Sequence, residues 1–181
     1  MDDTSPIERA IALLRARGAD TIAHPGGVLL AHLQRTRALA IELGASPELA
    51  IAALCHAAYG TDGFAVALLD LAERSTLREV IGVPAERLVY VYGACARRET
   101  YARLAELPLV VADRFTGERH ELDADDATCF ALLTIANELD VLRWAQLDAR
   151  ARMGLRALFR ALERHAPAAG AHALAEVARD G

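Results

Sequence analysis

The chain has 181 residues, of which 54% are hydrophobic and 25% are charged, and its formal net charge is −5 at pH 7. This length predicts a single domain over residues 1–181. The negative charge and the lack of a basic cluster exclude the electrostatic footprint of a nucleic-acid-binding protein. Every basic residue is an arginine, which also excludes Schiff-base chemistry and the lysine-dependent phosphate-binding loop.

The hydrophobic content is spread along the chain, and no uncharged apolar run approaches the roughly 20 residues that cross a bilayer. The N-terminal segment MDDTSPIERA begins acidic and lacks the apolar core of a secretion signal. We therefore expect no membrane partner and a cytoplasmic location.

The N-terminal part of the chain has the periodicity of helices. A first helix is predicted over residues 7–18, after the start signal at Ser5. A second is predicted over residues 25–43, because Pro25 suits a first turn and Gly44 suits a left-handed C-terminal cap.

Two shorter helices are predicted next. Ser46 begins the helix that leads to His56, and the short connection before it predicts that this helix packs antiparallel to the preceding one. Thr76 and Glu79 match a capping box for a short helix that ends at Gly82.

The rest of the chain contains the one predicted departure from helix. After a helix over residues 84–107, residues 109–122 mix β-branched residues with a turn at Gly117, which predicts a small β-hairpin. Asp123 then begins a long helix, and two more helical stretches follow. The predicted fold is therefore an all-α bundle with one small β-hairpin near residues 109–122.

Three of the six histidines lie in the first helical pair: His24, His32 and His56. At about 100° per residue His32 faces inward, and an antiparallel return brings it near His56. Each imidazole could instead be a core histidine satisfied by one hydrogen bond. Convergence of two or three of them favours a site.

The segment HLQRTRALAIELGASPELAIAALCH, from His32 to His56, resembles the opening of the HD-domain superfamily of metal-dependent phosphohydrolases. Its ALCHA stands where the hydrolase domain of stringent-response alarmone hydrolases has ALLHD. REVIGVPAERLVYVYG and LLTIANELDVLR are similar to later helices of that domain. The chain also resembles an uncharacterised HD-like group with the pattern H-x-G-G…H-L…H-x-x-Y-G-T. The resemblance spans residues 20–145 and implies an HD-like helical bundle with metal-dependent hydrolysis.

The chain departs from the HD pattern at both aspartates. Ala57 replaces the aspartate of the His-Asp pair, and Asn137 falls at the position of the final aspartate. A methyl group cannot bridge two metal ions, and an amide is a weaker ligand than a carboxylate. A dinuclear centre and alarmone hydrolysis are therefore not expected.

A mononuclear centre is the remaining metal site. Asp140 lies one helical turn after Asn137, and His24 lies just before a Gly-Gly pair that permits close approach. Together with His32 and His56 they predict a site for one divalent transition metal, Fe, Mn, Zn or Ni. Asp140 could equally be a solvated residue, and His24 a loop histidine.

Neighbouring residues are candidates for catalysis and substrate binding. Tyr59 and Asp62 follow His56 closely and are interpreted as proton carriers, with an ordinary aromatic and a turn aspartate as the alternative. Arginines provide bidentate contacts to anions. Arg97, Arg98 and Arg114 are candidate anion ligands, with surface solvation as the alternative, and the residues assigned to substrate are Arg98, Arg114 and Asn137.

Three functions follow from these observations. The first is a metal-dependent enzyme of the HD superfamily that hydrolyses a small polar or phosphorylated molecule, with an HD-type non-haem iron oxygenase as its variant. The second is a metal-free HD-like binding or regulatory protein, because loss of both aspartates is expected in a protein that has kept the fold and lost the metal. The third is a helical module that forms a homodimer through the amphipathic segment RMGLRALFRALERHA.

Overall fold

A computed structural model describes residues 5–179. Residues 1–4, on which part of the expectation about a secretion signal rests, lie outside this range. The fold is all-α with a small β-hairpin, as predicted, and it contains a second small hairpin that was not predicted. The helices are α1 (Pro6–Ala16), α2 (Leu29–Glu42), α3 (Pro47–Cys55), α4 (Arg74–Ile81), α5 (Val83–Ala94), α6 (Arg97–Tyr101), α7 (Ala124–Trp144), α8 (Ala149–Leu162) and α9 (Pro167–Arg179). The strands are β1 (Ala23–His24), β2 (Gly27–Val28), β3 (Val110–Ala112) and β4 (Arg119–Glu121).

Side-chain caps set several of the helix starts. Ser5 forms a reciprocal capping box with Glu8 at α1. The hydroxyl of Ser46 accepts a hydrogen bond from the Leu49 N–H at α3, and the carboxylate of Asp123 accepts one from the Asp126 N–H at α7. Each cap satisfies an N–H group that has no partner within its helix.

The start of the second predicted helix is wrong by four residues. Residues 25–28 do not extend α2, because β1 and β2 form a small antiparallel hairpin that places His24 opposite Gly27. Gly26 and Gly27 have φ angles of +78° and +129°. Since α-helical φ is negative, the chain cannot become helical until it has passed both glycines.

Two further predictions about helix ends are corrected. The capping box lies at Asp70 and Glu73, which begin a short 3₁₀ turn before α4, and not at the Thr76 and Glu79 predicted for this role. The helix predicted over residues 84–107 is broken after Ala94 into α5 and α6. Cys95 adopts an extended ψ of 111° and bridges to Asp113, which anchors the β3–β4 region to the bundle.

The hairpin predicted within residues 109–122 is confirmed. Strand β3 pairs with β4 in antiparallel register, with Val111 opposite His120. Gly117 has a φ of +77° in the connecting turn, a conformation that favours glycine. The backbone N–H of Leu122 closes the hairpin base by donating to the Leu109 carbonyl.

The buried apolar side chains form two clusters. One is centred on α7 and the C-terminal helices, and the other lies among α1, α3 and α4. Leu88 and Tyr90 of α5 pack against both clusters. Helix α2 packs beside α3, as predicted, and against α7. Between residues 5 and 179 no helix is both long and apolar enough to cross a membrane.

Candidate functional site

The two histidines of the HD-like segment meet in the interior. His32 lies on α2 and His56 immediately follows α3, and their side chains are almost fully buried. Their Nε2 atoms are 3.3 Å apart. The Nδ1–H of His56 donates to the Ala53 carbonyl at 2.8 Å, so the Nε2 of this ring is an acceptor. Burial, followed by the proximity of His32, lowers the pKa of His56 to about 3, so its ring is neutral.

Asp140 lies on the side of the His32 ring that faces away from His56. Its Oδ2 accepts a hydrogen bond from the His32 Nδ1–H at 2.7 Å, and both of its oxygens pair with the guanidinium of Arg35. Burial acts to raise the pKa of Asp140, but the hydrogen bonds from His32 and Arg35 hold it below its ordinary value. The predicted metal-ligand role of Asp140 does not fit this placement, because its oxygens face the nitrogen turned away from His56.

His24 lies beside the pair, but in an orientation that differs from the prediction. Its ring stacks on the ring of His32, with centroids 4.0 Å apart and planes 22° from parallel. Imidazole lone pairs lie in the ring plane, so two nearly parallel stacked rings do not direct their nitrogens at one ion. Burial and the neighbouring His32 lower the pKa of His24 to about 4. Its buried Nδ1 has no hydrogen-bond partner among the described residues.

The two predicted proton carriers lie outside the site. The Tyr59 hydroxyl donates to the buried carboxylate of Glu86 at 3.0 Å, within an ion-pair cluster that also contains Arg74 and Arg78. The Asp62 carboxylate accepts a hydrogen bond from the backbone N–H of Arg97 and so fixes the start of α6. Both residues therefore have structural roles in this placement.

The predicted substrate-binding residues are divided between the site and the surface. Arg98 is exposed on α6. Arg114 donates to the Gly93 carbonyl and stacks on the ring of Phe115, away from the histidines. Asn137 is in the site, with its Oδ1 3.1 Å from the Nε2 of His32.

A cavity of about 230 Å³ opens beside these residues, and we call it the histidine cavity. Its walls combine the three histidines and Asn137 with polar residues from α6 and α7 and with apolar side chains. The lining residues are His24, Pro25, Leu29, His32, His56, Ala57, Thr61, Gly63, Phe64, Arg97, Asn137, Glu138 and Val141.

Two charged residues of the cavity extend the site predicted from sequence. Arg97, considered there only as one of several anion ligands, approaches the Glu138 carboxylate at 3.2 Å. A Cβ on Gly63 would lie 2.7 Å from the Arg97 guanidinium, so this glycine makes room for the arginine. Glu138 was not predicted from the sequence to belong to the site, although it directly follows the candidate residue Asn137.

Three hydrogen-bond acceptors converge in the cavity wall: Nε2 of His32, Nε2 of His56 and Oδ1 of Asn137. We call them the acceptor cluster. The His32 Nδ1–H is donated to Asp140, and the Asn137 Nδ2 donates to Glu138, which leaves the Asn137 oxygen as an acceptor. The lone pair on the His32 Nε2 lies 3.3 Å from the His56 Nε2 and 3.1 Å from the Asn137 Oδ1, and these acceptors repel it unless a positive charge lies among them. Either a second proton on His32 or a bound cation meets this need.

The metal set predicted from sequence does not form in this geometry. Among residues 5–179 no group of three or more His, Cys, Asp or Glu side chains is placed to hold a metal ion, so the set of His24, His32, His56 and Asp140 is not assembled. The acceptor cluster is a different donor set, with an amide in place of a carboxylate. Its separations of 3.1 and 3.3 Å match those of adjacent ligands about 2.1 Å from one ion.

Comparison with known proteins identifies one family similarity. A family model described as Domain of unknown function (DUF6817) matches residues 13–97. This match covers slightly less than half of the chain and includes the three histidines and Arg97, but ends before Asn137 and Asp140 on α7. No curated protein and no solved structure matches the chain.

Proposed function

We propose that this protein is a metal-dependent enzyme of the HD superfamily that hydrolyses a small anionic molecule at a mononuclear site. The observation that supports this proposal is the acceptor cluster, whose three converging acceptors from His32, His56 and Asn137 can bind a cation. These residues occupy the positions at which the chain resembles the HD pattern. A bound divalent ion would polarise a substrate oxygen and lower the pKa of water.

The second coordination shell also supports a metal site. Metal-ligating histidines commonly donate their other ring N–H to a carboxylate or a backbone carbonyl, which fixes the tautomer and the ring orientation. His32 donates to Asp140 in this way, and His56 donates to the Ala53 carbonyl. Both rings therefore hold an Nε2 in a fixed direction toward the cavity.

The charges around the histidine cavity favour an anionic substrate. Arg97 is balanced by Glu138, and Arg35 is balanced by Asp140. His24 and His56 have lowered pKa values of about 4 and 3, so they add no charge near neutral pH. The cation required by the acceptor cluster therefore leaves this region with a net positive charge, which attracts anions.

The residues of the cavity wall have distinct roles in this proposal. Arg97 binds the anionic group of the substrate through its guanidinium donors. The unpartnered Nδ1 of His24 offers a hydrogen bond to the same molecule, since a buried polar atom without a partner costs about 1–3 kcal/mol. Glu138 is the carboxylate that lines the cavity and is the candidate acceptor of a substrate proton.

Metal content and thermal stability test this proposal. Protein purified without added metal is expected to contain close to one ion per chain, or to gain melting temperature with added zinc, manganese, iron or nickel. The His56→Ala variant should lose both responses. His172→Ala is the matched control, because this histidine lies half-exposed on α9, where it pairs with Glu176.

A metal-free binding protein is the second candidate. The acceptor cluster contains no carboxylate, and this lack favours the second candidate. A second proton on His32 would supply the positive charge among the three acceptors without a metal ion. The absence of bound metal in the purified protein, together with an unchanged melting temperature in all four metals, would support this candidate and reject the enzyme.

Asn137→Asp separates the two candidates further. A carboxylate in the acceptor cluster should tighten divalent-metal binding by about tenfold, which corresponds to roughly 1.4 kcal/mol of added attraction. Isothermal titration calorimetry with Mn²⁺ and Zn²⁺ measures this change. If a proton fills the cluster, the same variant binds no metal and is instead stabilised by an ion pair between the new carboxylate and the His32 ring.

A further inference from the structure

A second cavity of about 360 Å³ lies between α7 and α8, and we call it the apolar groove. Most of its lining is aliphatic, with one tyrosine and one carboxylate. The lining residues are Tyr101, Glu138, Val141, Leu147, Ala151, Gly154, Leu155 and Leu158. Nothing in the proposed chemistry at the acceptor cluster uses this groove.

The apolar groove adjoins the histidine cavity. Glu138 and Val141, one helical turn apart on α7, line both of them. On α6, Arg97 lines the histidine cavity and Tyr101, four residues later, lines the groove. The guanidinium carbon of Arg97 lies 5.9 Å from the centre of the Tyr101 ring. Two helices therefore each contribute to both cavities, and the cavities meet along this shared edge.

The N-terminal half of α8 leaves apolar surface open along the groove. The buried residues of this helix are Phe159 and Leu162, both near its C-terminal end. Leu155 and Leu158 are only partly buried, although they face the groove. A Cβ built on Gly154 would have no neighbour within 4 Å, so the groove is open at this point.

We propose that the ligand of this protein is an amphipathic anion, with its anionic head in the histidine cavity beside Arg97 and an apolar tail in the apolar groove. The proposal rests on the proposed function, because it takes the histidine cavity as the place where the anion binds. It adds that substrate selection depends on an apolar tail, which the aliphatic wall formed by α7 and α8 removes from water.

A homologous series of linear alkylphosphonates, from methyl- to octylphosphonate, tests the proposal with the full chain. These probes keep one anionic head, resist hydrolysis and differ only in methylene number. The dissociation constant should fall about two- to fourfold per added methylene until the groove is filled. Calorimetry with the protein as purified and with metal-loaded protein measures this dependence.

Gly154→Leu supplies the decisive variant. The added side chain enters the open groove and raises helix propensity, so the protein should fold. It should abolish the dependence on tail length while leaving the affinity for methylphosphonate unchanged. Ala157→Leu is the matched control, because this exposed residue of α8 does not line the groove and the wild-type dependence should persist.

Three outcomes would overturn the proposal. Affinity could be independent of tail length, or the length dependence could survive Gly154→Leu. Light scattering could also show that Gly154→Leu disrupts a dimer, which would make the groove an interface between copies of this chain. Failure of the proposed function is recognised separately: in that case methylphosphonate binds equally well to wild type and to Arg97→Gln, whatever the effect of tail length.

Discussion

At the level of single residues, a chain of hydrogen bonds fixes the position of His32. Arg35 holds both oxygens of Asp140, and Asp140 holds the Nδ1–H of His32 at 2.7 Å. Arg35 also donates to the carbonyls of Pro25 and Gly26, beside His24. The contacts of one arginine therefore connect the two stacked imidazoles and fix the direction of the acceptor at His32.

Asp140→Ala should reduce both stability and metal affinity. The change leaves the buried Nδ1–H of His32 and the partly buried guanidinium of Arg35 without their acceptor. We expect the free energy of unfolding to fall by about 2–4 kcal/mol, and metal affinity to fall about 10- to 100-fold. Urea denaturation and metal titration measure the two effects.

Asp20→Ala is the control for this change, because Asp20 is an exposed aspartate in the connection after α1. It should alter neither quantity by more than about 0.5 kcal/mol. A stability of Asp140→Ala equal to that of the control would show that the hydrogen bonds of Asp140 do not organise the site.

The success of sequence reasoning at this level depended on helical register. His32 and His56 were predicted to meet because His32 lies within α2 and His56, the residue that caps α3, still has helical backbone angles, so 3.6 residues per turn fix both directions. The directions of Tyr59 and Asp62 were misjudged because α3 ends at Cys55, and beyond a helix end sequence separation no longer determines where a side chain points. Asp140 was correctly placed near the site, but spacing could not distinguish the two nitrogens of His32.

At the level of elements, the small hairpin of β1 and β2 controls the position of His24. Its turn residue Gly26 has a φ of +78° and packs directly under the indole of Trp144 at the end of α7. A Cβ at this position would lie 2.6 Å from the Trp144 Cγ. Pro25 was interpreted as the start of a helix and the Gly-Gly pair as room for a close approach, but a sequence does not show which distant side chain a glycine must accommodate.

Gly26→Ala should destabilise the protein by about 2–4 kcal/mol, through the clash with Trp144 and the strained φ together. A double-mutant cycle with Trp144→Ala separates the two causes. In the Trp144→Ala background the same substitution should cost only the strain and a small shift of the Arg35 guanidinium, which lies 3.0 Å from the added Cβ, together about 1 kcal/mol. Thermal unfolding of the four proteins measures the cycle. Equal costs in both backgrounds would show that the indole does not pack on this turn.

At the level of the whole molecule, the acid stability of the protein depends on two classes of buried group. The pKa of Asp113 is lowered to about 2: burial opposes this shift, and hydrogen bonds from His120, Tyr90 and backbone N–H groups produce it. Since the ordinary pKa values of carboxyl groups are 3.8 and 4.5, the stabilisation from ionised carboxylates is lost mainly below about pH 4.5. Between pH 6.5 and 4.5 the histidines are the groups that matter.

His56 and His24 should make the protein less stable as the pH falls through this window. Their ordinary pKa is 6.5, whereas burial lowers the folded values to about 3 and about 4. Below pH 6.5 the unfolded chain binds protons that the folded chain does not. Stability is therefore full above pH 6.5 and is lost progressively toward the folded values. The buried His56 alone contributes a slope of up to about 1.4 kcal/mol per pH unit.

Urea unfolding at half-unit steps from pH 7 to pH 4.5, with a chelator present to remove the effect of metal binding, measures this slope. His56→Gln should flatten the curve, because glutamine does not titrate, even if the variant is less stable at every pH. His172→Gln, which replaces a half-exposed histidine, should keep the wild-type slope. A wild-type protein as stable at pH 5 as at pH 7, or a His56→Gln variant with an unchanged slope, would contradict a neutral, desolvated imidazole at the acceptor cluster. It would also remove the electrostatic reason for expecting a cation there.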